Sequence, residues 1–572
     1  MTARPLFAVA AIVVAALVGG CGGSSSSSSS KTSTGPPLPV PMALAAQPRS
    51  TLTMESSQES VLPDNFNPFD STSAANGVGA TALIYETLLK FDIADPLQPA
   101  YEFLATNYVW GNAGRSITFT IRRGVKWSNG SRLTPADVAF TYNMLVRYPD
   151  TNSNAVPVTG ATVSGDDVMI SFSSPQYTNL QNIGSVYIVP RSIWGALNGD
   201  PSRYADTHPI GSGPYVLAAF GRTVGVTLAA NQRYWGGPWN PGGGAPAVKQ
   251  VDFPLLDSNS AVLSTLEDNT LDWAGNFLYG LGPFKRGAGH ATWFAPVNTN
   301  SLEPNERSWP MNQLAVRQAV SLAIDRNAIS KIGEGGLEPP VSNASGLVLP
   351  NFQSLLASAV RGDTLSPTAD PLGADSVLSA AGYTLRGGWY ALNGRTIDIT
   401  ITDPSDYIDY AADDKLIVSE LAAAHIKAHF DGLSDTQWYA DLADGKFGSA
   451  TCRWSYSVVV PYGMYENWLD SRLDTPTNAS GDFEGLDNQT VDSELSALAG
   501  QTTIAGQLSD LAPIEKFVAT DLPVIPTVYG VVFDEYNTAK FSGWPTPHNE
   551  YESGSPNAPT DEVIVLHLKP RA

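Results

Sequence analysis

From Ser116 to Arg122 the chain alternates polar and apolar positions, with Ile117, Phe119 and Ile121 on one face, which predicts a half-buried strand. The period then changes. After Lys126-Trp127-Ser128-Asn129-Gly130, Thr134 and Pro135 open a helix, the threonine suiting the cap and the proline the first turn. Val138, Tyr142 and Leu145 follow at helical spacing. Val163-Ser164-Gly165-Asp166-Asp167-Val168 reads as a hairpin, with Val168, Ile170 and Phe172 alternating after the turn. A longer helix is predicted over Asn312 to Ile324, with Val316, Val320 and Ala323 inward. Asp325 caps a second helix containing Ile329 and Ile332. Asp370-Pro371 opens another, which Gly382 closes. Ile397, Ile399 and Ile401 mark a strand, followed by a helix from Asp413 to Ala424 and a strand through Ile426 to Phe430. This alternation of strands and helices predicts an α/β body with mixed sheets. No internal repeat is present.

The N-terminus follows a different pattern. Met1 to Arg4 carry one positive charge, and Pro5 to Val18 form an apolar run too short to span a bilayer but of the length of a signal-peptide core. The run ends in Leu17-Val18-Gly19-Gly20-Cys21, which resembles the bacterial lipobox, in which the cysteine is lipidated before cleavage. Residues 1–20 are therefore expected to be a signal peptide and Cys21 the lipidation site. Gly22 and Gly23, the serines Ser24 to Ser30 and Pro36-Pro37-Leu38-Pro39-Val40-Pro41 follow. Glycine and serine give reach and proline gives stiffness, so residues 21–49 read as a tether. The ordered body should begin near Arg49 to Thr53.

That body is long enough for several lobes. Asp and Glu number 55 against 33 Lys and Arg, a net charge of −22 without a clustered basic stripe, which argues against nucleic acid as a partner. The chain has two cysteines. With Cys21 lipidated, Cys452 has no partner and reads as a small core residue rather than a nucleophile. His425 and His429 have a metal-like spacing, but the helix ends at Ala424 and places them in a turn and a strand. There is no HExxH, no GxSxG elbow and no GxxxxGK[ST] loop. No metal or other cofactor and no catalytic residue is expected.

Several stretches together resemble one family. Ile84-Tyr85-Glu86-Thr87-Leu88-Leu89 is the first of them. Next come Ile117 through Trp127 and Leu133-Thr134-Pro135-Ala136-Asp137-Val138. Pro209-Ile210-Gly211-Ser212-Gly213-Pro214-Tyr215, Asn231-Gln232-Arg233-Tyr234-Trp235-Gly236 and Val316-Arg317-Gln318-Ala319 through Ala323-Ile324-Asp325-Arg326 follow in the family's order. They resemble the extracytoplasmic solute-binding proteins of family 5, the oligopeptide and dipeptide class that serves ABC importers. The match runs from about Asn65 to Gly543. Physically these motifs are scaffold: Gly211 and Gly213 suit a tight turn, and Arg317, Asp325 and Arg326 suit caps and ion pairs. The resemblance implies an α/β, two-lobed periplasmic-binding-protein type II fold with mixed sheets, an extra inserted domain and a hinge between lobes. Lobe one would hold residues 50–88, 210–296 and 533–572, the inserted domain 89–209, and lobe two 297–532. It also implies a monomeric binding protein rather than an enzyme, on the extracytoplasmic face of the membrane. Such a protein closes on a ligand and docks on a permease whose ATPase subunits are separate chains.

The ligand is left open between two classes. Peptide-binding relatives often carry Trp-x-x-Asp-x-x-Asp-Pro, whose first aspartate pairs with the peptide ammonium. Here the segment is Trp454-Ser455-Tyr456-Ser457-Val458-Val459-Val460-Pro461, with Ser457 and Val460 where the carboxylates would be. Glu466 stands nearby as a substitute. Asn65-Phe66-Asn67-Pro68-Phe69 instead resembles relatives that bind small oligosaccharides, and the 13 tryptophans suit sugar faces. The candidate ligand residues are Arg453, Trp454, Tyr456, Ser457, Tyr462, Tyr465 and Glu466 in lobe two, with Phe66, Asn67 and Trp273 in lobe one. For each aromatic the competing reading is core packing. Trp127, Trp194 and Trp235 are assigned to the core. The family's weight ranks a peptide-like ligand first and an oligosaccharide second. A regulatory lipoprotein that serves no importer, and an enzyme acting on the bound ligand, are the readings from other classes.

Overall fold

The computed structural model describes residues 48–571 apart from 56–60, 155, 240–241, 406, 455–460, 475–480 and 558, together with the backbone but not the side chain of Trp454. The signal peptide, Cys21 and most of the tether lie outside the described residues, as do Tyr456 and Ser457. The chain divides into two compact units. One is continuous, Pro296–Val531; the other takes the described residues through Ala295 and those from Val532 onward. The chain therefore passes between units twice.

The first unit opens with β1 (Thr51–Thr53). Strands β2 (Ala105–Gly111) and β3 (Ser116–Ile121), helix α1 (Pro135–Arg147) and strands β4 (Val158–Ser164) and β5 (Asp167–Phe172) then form one layered piece. Its sheet is antiparallel, in the order β2-β3-β5-β4. Ile117 pairs with Ile170 and Phe119 with Val168, and all four are fully buried, so the alternation seen in the sequence is the buried face of this sheet. α1 starts where Thr134 and Pro135 place it. Thr134 and Asp137 form a reciprocal capping box, and Val138, Tyr142 and Leu145 are buried.

Strands β6 (Tyr215–Gly221), β7 (Gly225–Ala230) and β8 (Gln250–Pro254) join β1 in a mixed sheet ordered β1-β8-β7-β6, with β1 parallel to β8. Gly211 and Gly213 lead into β6. Neither has a positive φ, so a turn conformation is not what they supply. They permit contact: a Cβ on Gly211 would lie 1.8 Å from the carbonyl oxygen of Ile84, and the Gly213 amide donates to that same oxygen at 3.0 Å. Gly211→Ala should therefore destabilise the protein by about 1–3 kcal/mol or more, because backbone rather than a flexible side chain must move. A shift in the urea unfolding midpoint measures it; a midpoint equal to wild type would show that the loop yields freely. Strand β9 (Trp273–Ala274) ends this part.

The continuous unit is built on β10 (Asn300–Pro304), α2 (Leu314–Ala323), α3 (Pro371–Ala380), β11 (Asp398–Pro404), α4 (Ile408–Ala423), β12 (Lys427–Leu433), α5 (Asp435–Ala443) and β13 (Ala450–Trp454). It is completed by α6 (Tyr462–Leu469), α7 (Gln489–Ala499), α8 (Ile504–Asp521) and β14 (Ile525–Pro526). The five-stranded sheet runs β12-β11-β13-β10-β14. β11 lies parallel to β12 and β13, while β10 is antiparallel to β13 and β14. Val316, Val320, Ile399, Ile401, Ile417 and Leu421 form its core with Cys452, which is buried as the sequence suggested.

One boundary is corrected here. α4 begins at Ile408, five residues before Asp413. Asp413, expected at the start of the helix, is buried inside it together with Asp414, while Ile408 at its start is exposed. The short helix capped by Asp325 runs into a π turn over Ile329–Gly333, in which Ile329 is buried and Ile332 is 61% exposed. His425 sits in the turn after α4 with φ +57°, and His429 lies on β12.

After Val532 the chain returns to the first unit. β15 (Glu535–Asn537) pairs with β9, and α9 (Thr560–His567) brings Glu562 within 2.6 Å of the fully buried Lys90 ammonium.

Candidate functional site

The segment Trp454 to Pro461 is held at both ends by the continuous unit. On its N-terminal side, β13 pairs Arg453 with Ser301 and the backbone of Trp454 with Asn300. On its C-terminal side, α6 begins directly after Pro461. Arg453 is only 1% exposed. Its guanidinium lies over the rings of Trp438 and Phe483, 5.2 and 5.1 Å from their centroids. Two buried carboxyls share its field. Burial pushes Glu303 up to about 7 and Glu484 well above the carboxylate range, and Arg453 opposes both shifts. Glu303 comes from β10 and accepts the Trp468 indole N–H at 3.1 Å. One cation thus faces two acids in a site closed to water, so the acids cannot both carry full charge at neutral pH.

α6 carries the remaining candidates on two faces. Tyr465 is fully buried, its hydroxyl donating to the Ser345 carbonyl at 3.1 Å. Tyr462 and Glu466 are half-buried one turn apart, and the Tyr462 hydroxyl donates to Glu466 Oε1 at 2.6 Å. Burial raises Glu466 to about 7; Tyr462 opposes the rise, Asp470 adds to it and Arg472 opposes it.

The first unit's three candidates are packed within that unit. Phe66 is fully buried with its ring edge-on to Phe220. Asn67 is equally buried: its amide donates to the carbonyls of Pro201 and Tyr204 at 2.8 and 2.9 Å, and its oxygen accepts from the Phe69 amide. Trp273 has no exposed surface and donates to Asp534 Oδ1 at 2.8 Å. Their polar groups are committed to their own unit. Trp127 and Trp194 are buried, as assigned. Trp235 is half-buried and donates to Glu86.

Glu303, Glu484, Trp438 and Phe483 were not singled out from sequence. β10 is buried at all five positions although it reads Asn-Ser-Leu-Glu-Pro, so it shows no apolar period. The one available signal was the tryptophans themselves, whose neighbours in space are not neighbours in sequence.

The sequence model of the bacterial extracellular solute-binding proteins, family 5, matches residues 100–475. The chain belongs to that family. It is accordingly an extracytoplasmic solute-binding receptor of the ABC-importer type and not an enzyme. The receptor is 23% identical to the probable peptide-binding protein YejA of Agrobacterium fabrum, over 86% of this chain and 87% of the relative. It is 24% identical to the nickel-binding periplasmic protein of Escherichia coli, over 65% and 70%. Among solved structures, a periplasmic oligopeptide-binding protein of Thermotoga maritima superposes with a TM-score of 0.83 at 22% identity, covering 92% of the receptor and 100% of that chain. The mannohexaose-bound form of that protein gives 0.76 at 23% identity, with the same coverage. These likenesses show the fold: the receptor has the mixed α/β architecture of its family. Among the described residues, no helix is long and apolar enough to cross a membrane.

Proposed function

We propose that the receptor is anchored to the outer face of the cell membrane through a lipid on Cys21 and captures peptides or peptide-like solutes for a permease driven by separate ATPase subunits. The observation that carries the ligand class is the match, over most of both chains, to a probable peptide-binding protein. Glu466 supports it. In this reading the half-buried carboxyl beside Tyr462 takes the ammonium-pairing role that Ser457 and Val460 cannot fill, with Trp454, Tyr456 and Ser457 contacting the rest of the ligand. A carboxyl raised to about 7 is largely protonated at pH 6, and an arriving ammonium favours its charged form. Peptide binding at pH 6 should therefore release a proton. Calorimetry in two buffers of different ionisation enthalpy reads this directly, and Glu466→Gln should abolish the difference while weakening affinity at least about tenfold. Peptide binding with no proton release and no loss in Glu466→Gln would remove Glu466 from this role.

One observation favours a second reading, a small oligosaccharide: the Thermotoga maritima protein that matches this fold carries mannohexaose in one of its structures. Titration with manno-, cello- and chito-oligosaccharides beside a peptide set decides between them, and tight sugar binding with none for peptides would reverse the order. For the anchor, Cys21→Ser should move the protein from the membrane fraction to the soluble one; unchanged membrane retention would refute lipidation.

A further inference from the structure

Strand β15 carries a carboxyl that its surroundings leave unsatisfied. Glu535 has no exposed surface. Among the described residues, neither of its oxygens has a hydrogen-bond partner in another residue, and no salt bridge reaches it. Its sequence neighbours are engaged elsewhere: Asp534 accepts the Trp273 indole N–H, and Tyr536 stacks on Trp544 with centroids 4.8 Å apart. Glu535 stands in register with Ala274 on β9 and with Thr292 of the strand His290–Thr292. Phe533 lies two residues before Glu535 and Phe294 two residues after Thr292, and residues two apart share a strand face. The rings of Phe277 and Phe294 both meet Phe533 edge-on, with centroids at 5.5 and 6.1 Å. All three rings are half-buried, so a partly open aromatic surface adjoins a closed-off acid. A second carboxyl, Glu55, lies near enough to raise Glu535. One Glu55 oxygen accepts the Gly275 amide at 3.0 Å and the other the Asn276 side-chain amide. Lys285 is the cation that bears on Glu535, but its ammonium lies over the Phe294 ring, 5.0 Å from the centroid.

Carboxyls beside aromatic rings suit an organic cation: the ring faces attract it and a carboxylate pairs with it. Lys285 over Phe294 shows one of these rings already holding an ammonium. An enclosed carboxylate without a partner is too costly to stay ionised. Burial first, then Asp534 and Glu55, push Glu535 well above the carboxylate range, against the opposition of Lys285 and its own amide. We infer that Glu535, with Glu55 and the rings of Phe277, Phe294 and Phe533, forms a subsite for an ammonium or guanidinium group of the receptor's solute. The exchange conserves charge. The cation enters, one proton leaves Glu535 for solvent, and the buried net charge is unchanged. A neutral side chain leaves the carboxyl protonated and without a partner, and an acidic one meets Glu55 as a like charge. The subsite lies wholly in the first unit and is separate from Glu466. It rests on the peptide reading only for the source of the cation, a basic side chain of a peptide rather than a free amine.

The test is calorimetry on the full-length receptor with three tripeptides, Ala-Lys-Ala, Ala-Arg-Ala and Ala-norleucine-Ala, beside the free amines cadaverine and agmatine. The lysine and arginine peptides should bind at least about tenfold more tightly than the norleucine peptide, and Glu535→Gln should erase that preference. Glutamine has the shape of the protonated carboxyl, so the variant keeps the packing and loses only the charge. Phe277→Leu should cut the preference about threefold, which serves if the glutamine variant does not fold. Glu466→Gln should weaken all three peptides alike, so a failure of its role is read apart from a failure here. Cadaverine or agmatine bound in a Glu535-dependent way, with no peptide bound, would keep the subsite and overturn the peptide as the source of the cation. Equal affinities for the three peptides with no amine bound, a preference that survives Glu535→Gln, or no binding of any of the five probes would overturn the subsite.

Discussion

Replacing Arg453 by alanine is expected to lower the unfolding free energy by about 3–5 kcal/mol near pH 7.5, the cost of leaving buried charge without its partner. The guanidinium is enclosed between Trp438 and Phe483 and balances Glu303 and Glu484. Its removal deletes the attraction and opens a cavity beside two large rings. The loss should shrink at pH 5, where both carboxyls hold protons in either variant. Adding Glu484→Gln to Arg453→Ala should recover part of the stability, since fewer acids then need compensation. Urea unfolding of the four combinations at the two pH values measures this. A loss under about 1 kcal/mol that does not change with pH would mean that the arginine is packing and nothing more.

The second large effect is on stability against pH. Glu55 and Glu515 are raised from 4.5 to about 7, and Asp206 from 3.8 to about 6, in each case by burial first. Hydrogen bonds oppose the shift without cancelling it: Gly275 to Glu55, Ala357 to Glu515 at 2.8 Å, and Tyr85 to Asp206 at 2.7 Å. A folded-state pKa above the unfolded one means that the folded form keeps a proton the unfolded form has lost. The stabilisation from these groups is fully present below about pH 4 and is lost as pH rises through 6 and 7. Each group contributes on the order of 1–3 kcal/mol, so the urea midpoint should fall clearly between pH 5 and pH 8. The net charge of −22 pushes the same way through surface repulsion, but salt screens that contribution and not the buried one. At high salt the fall should persist in the wild type and be reduced in Glu515→Gln. A flat profile at high salt would show that these carboxyls are hydrated and ionised in the folded protein.

What was legible in the sequence depended on whether a local rule matched the local outcome. Thr134 and Pro135 announced α1 because cap and first turn are written in adjacent residues. Ile397, Ile399 and Ile401 announced β11 because three apolar residues alternate with polar ones into and along the strand. The start of α4 was placed too late: Asp413, read as the first residue of the helix, is a buried group in a helix that had already begun at Ile408. Gly211 and Gly213 were rightly marked as special, but the cause is the backbone of Ile84, more than a hundred residues earlier, which no local reading supplies. Trp454 and α6 were singled out because the family segment is local. Phe66, Asn67 and Trp273 pack within their own unit, and in sequence an aromatic ring or an amide reads alike whether it meets a ligand or a carbonyl of its own chain. The acids around Arg453 went unseen because carboxylates are expected at the surface.

The second crossing of the chain, at Val532, decides the order in which the protein can be completed. Every strand of the five-stranded sheet lies between Asn300 and Pro526, so the continuous unit owns its whole framework as soon as that stretch exists. The other unit does not. Lys90 waits for Glu562, and the Trp273 indole waits for Asp534 and the Gly554 carbonyl. Until then a buried ammonium and a buried indole N–H have no acceptors, and β9 lacks its partner β15. A chain emerging from its N-terminus can therefore settle its middle first, while its opening half stays open to chaperones and proteases until the last helix arrives. Removing the stretch from Val532 through α9 should unravel the unit to which Lys90 and Trp273 belong. The half that is made first is finished last.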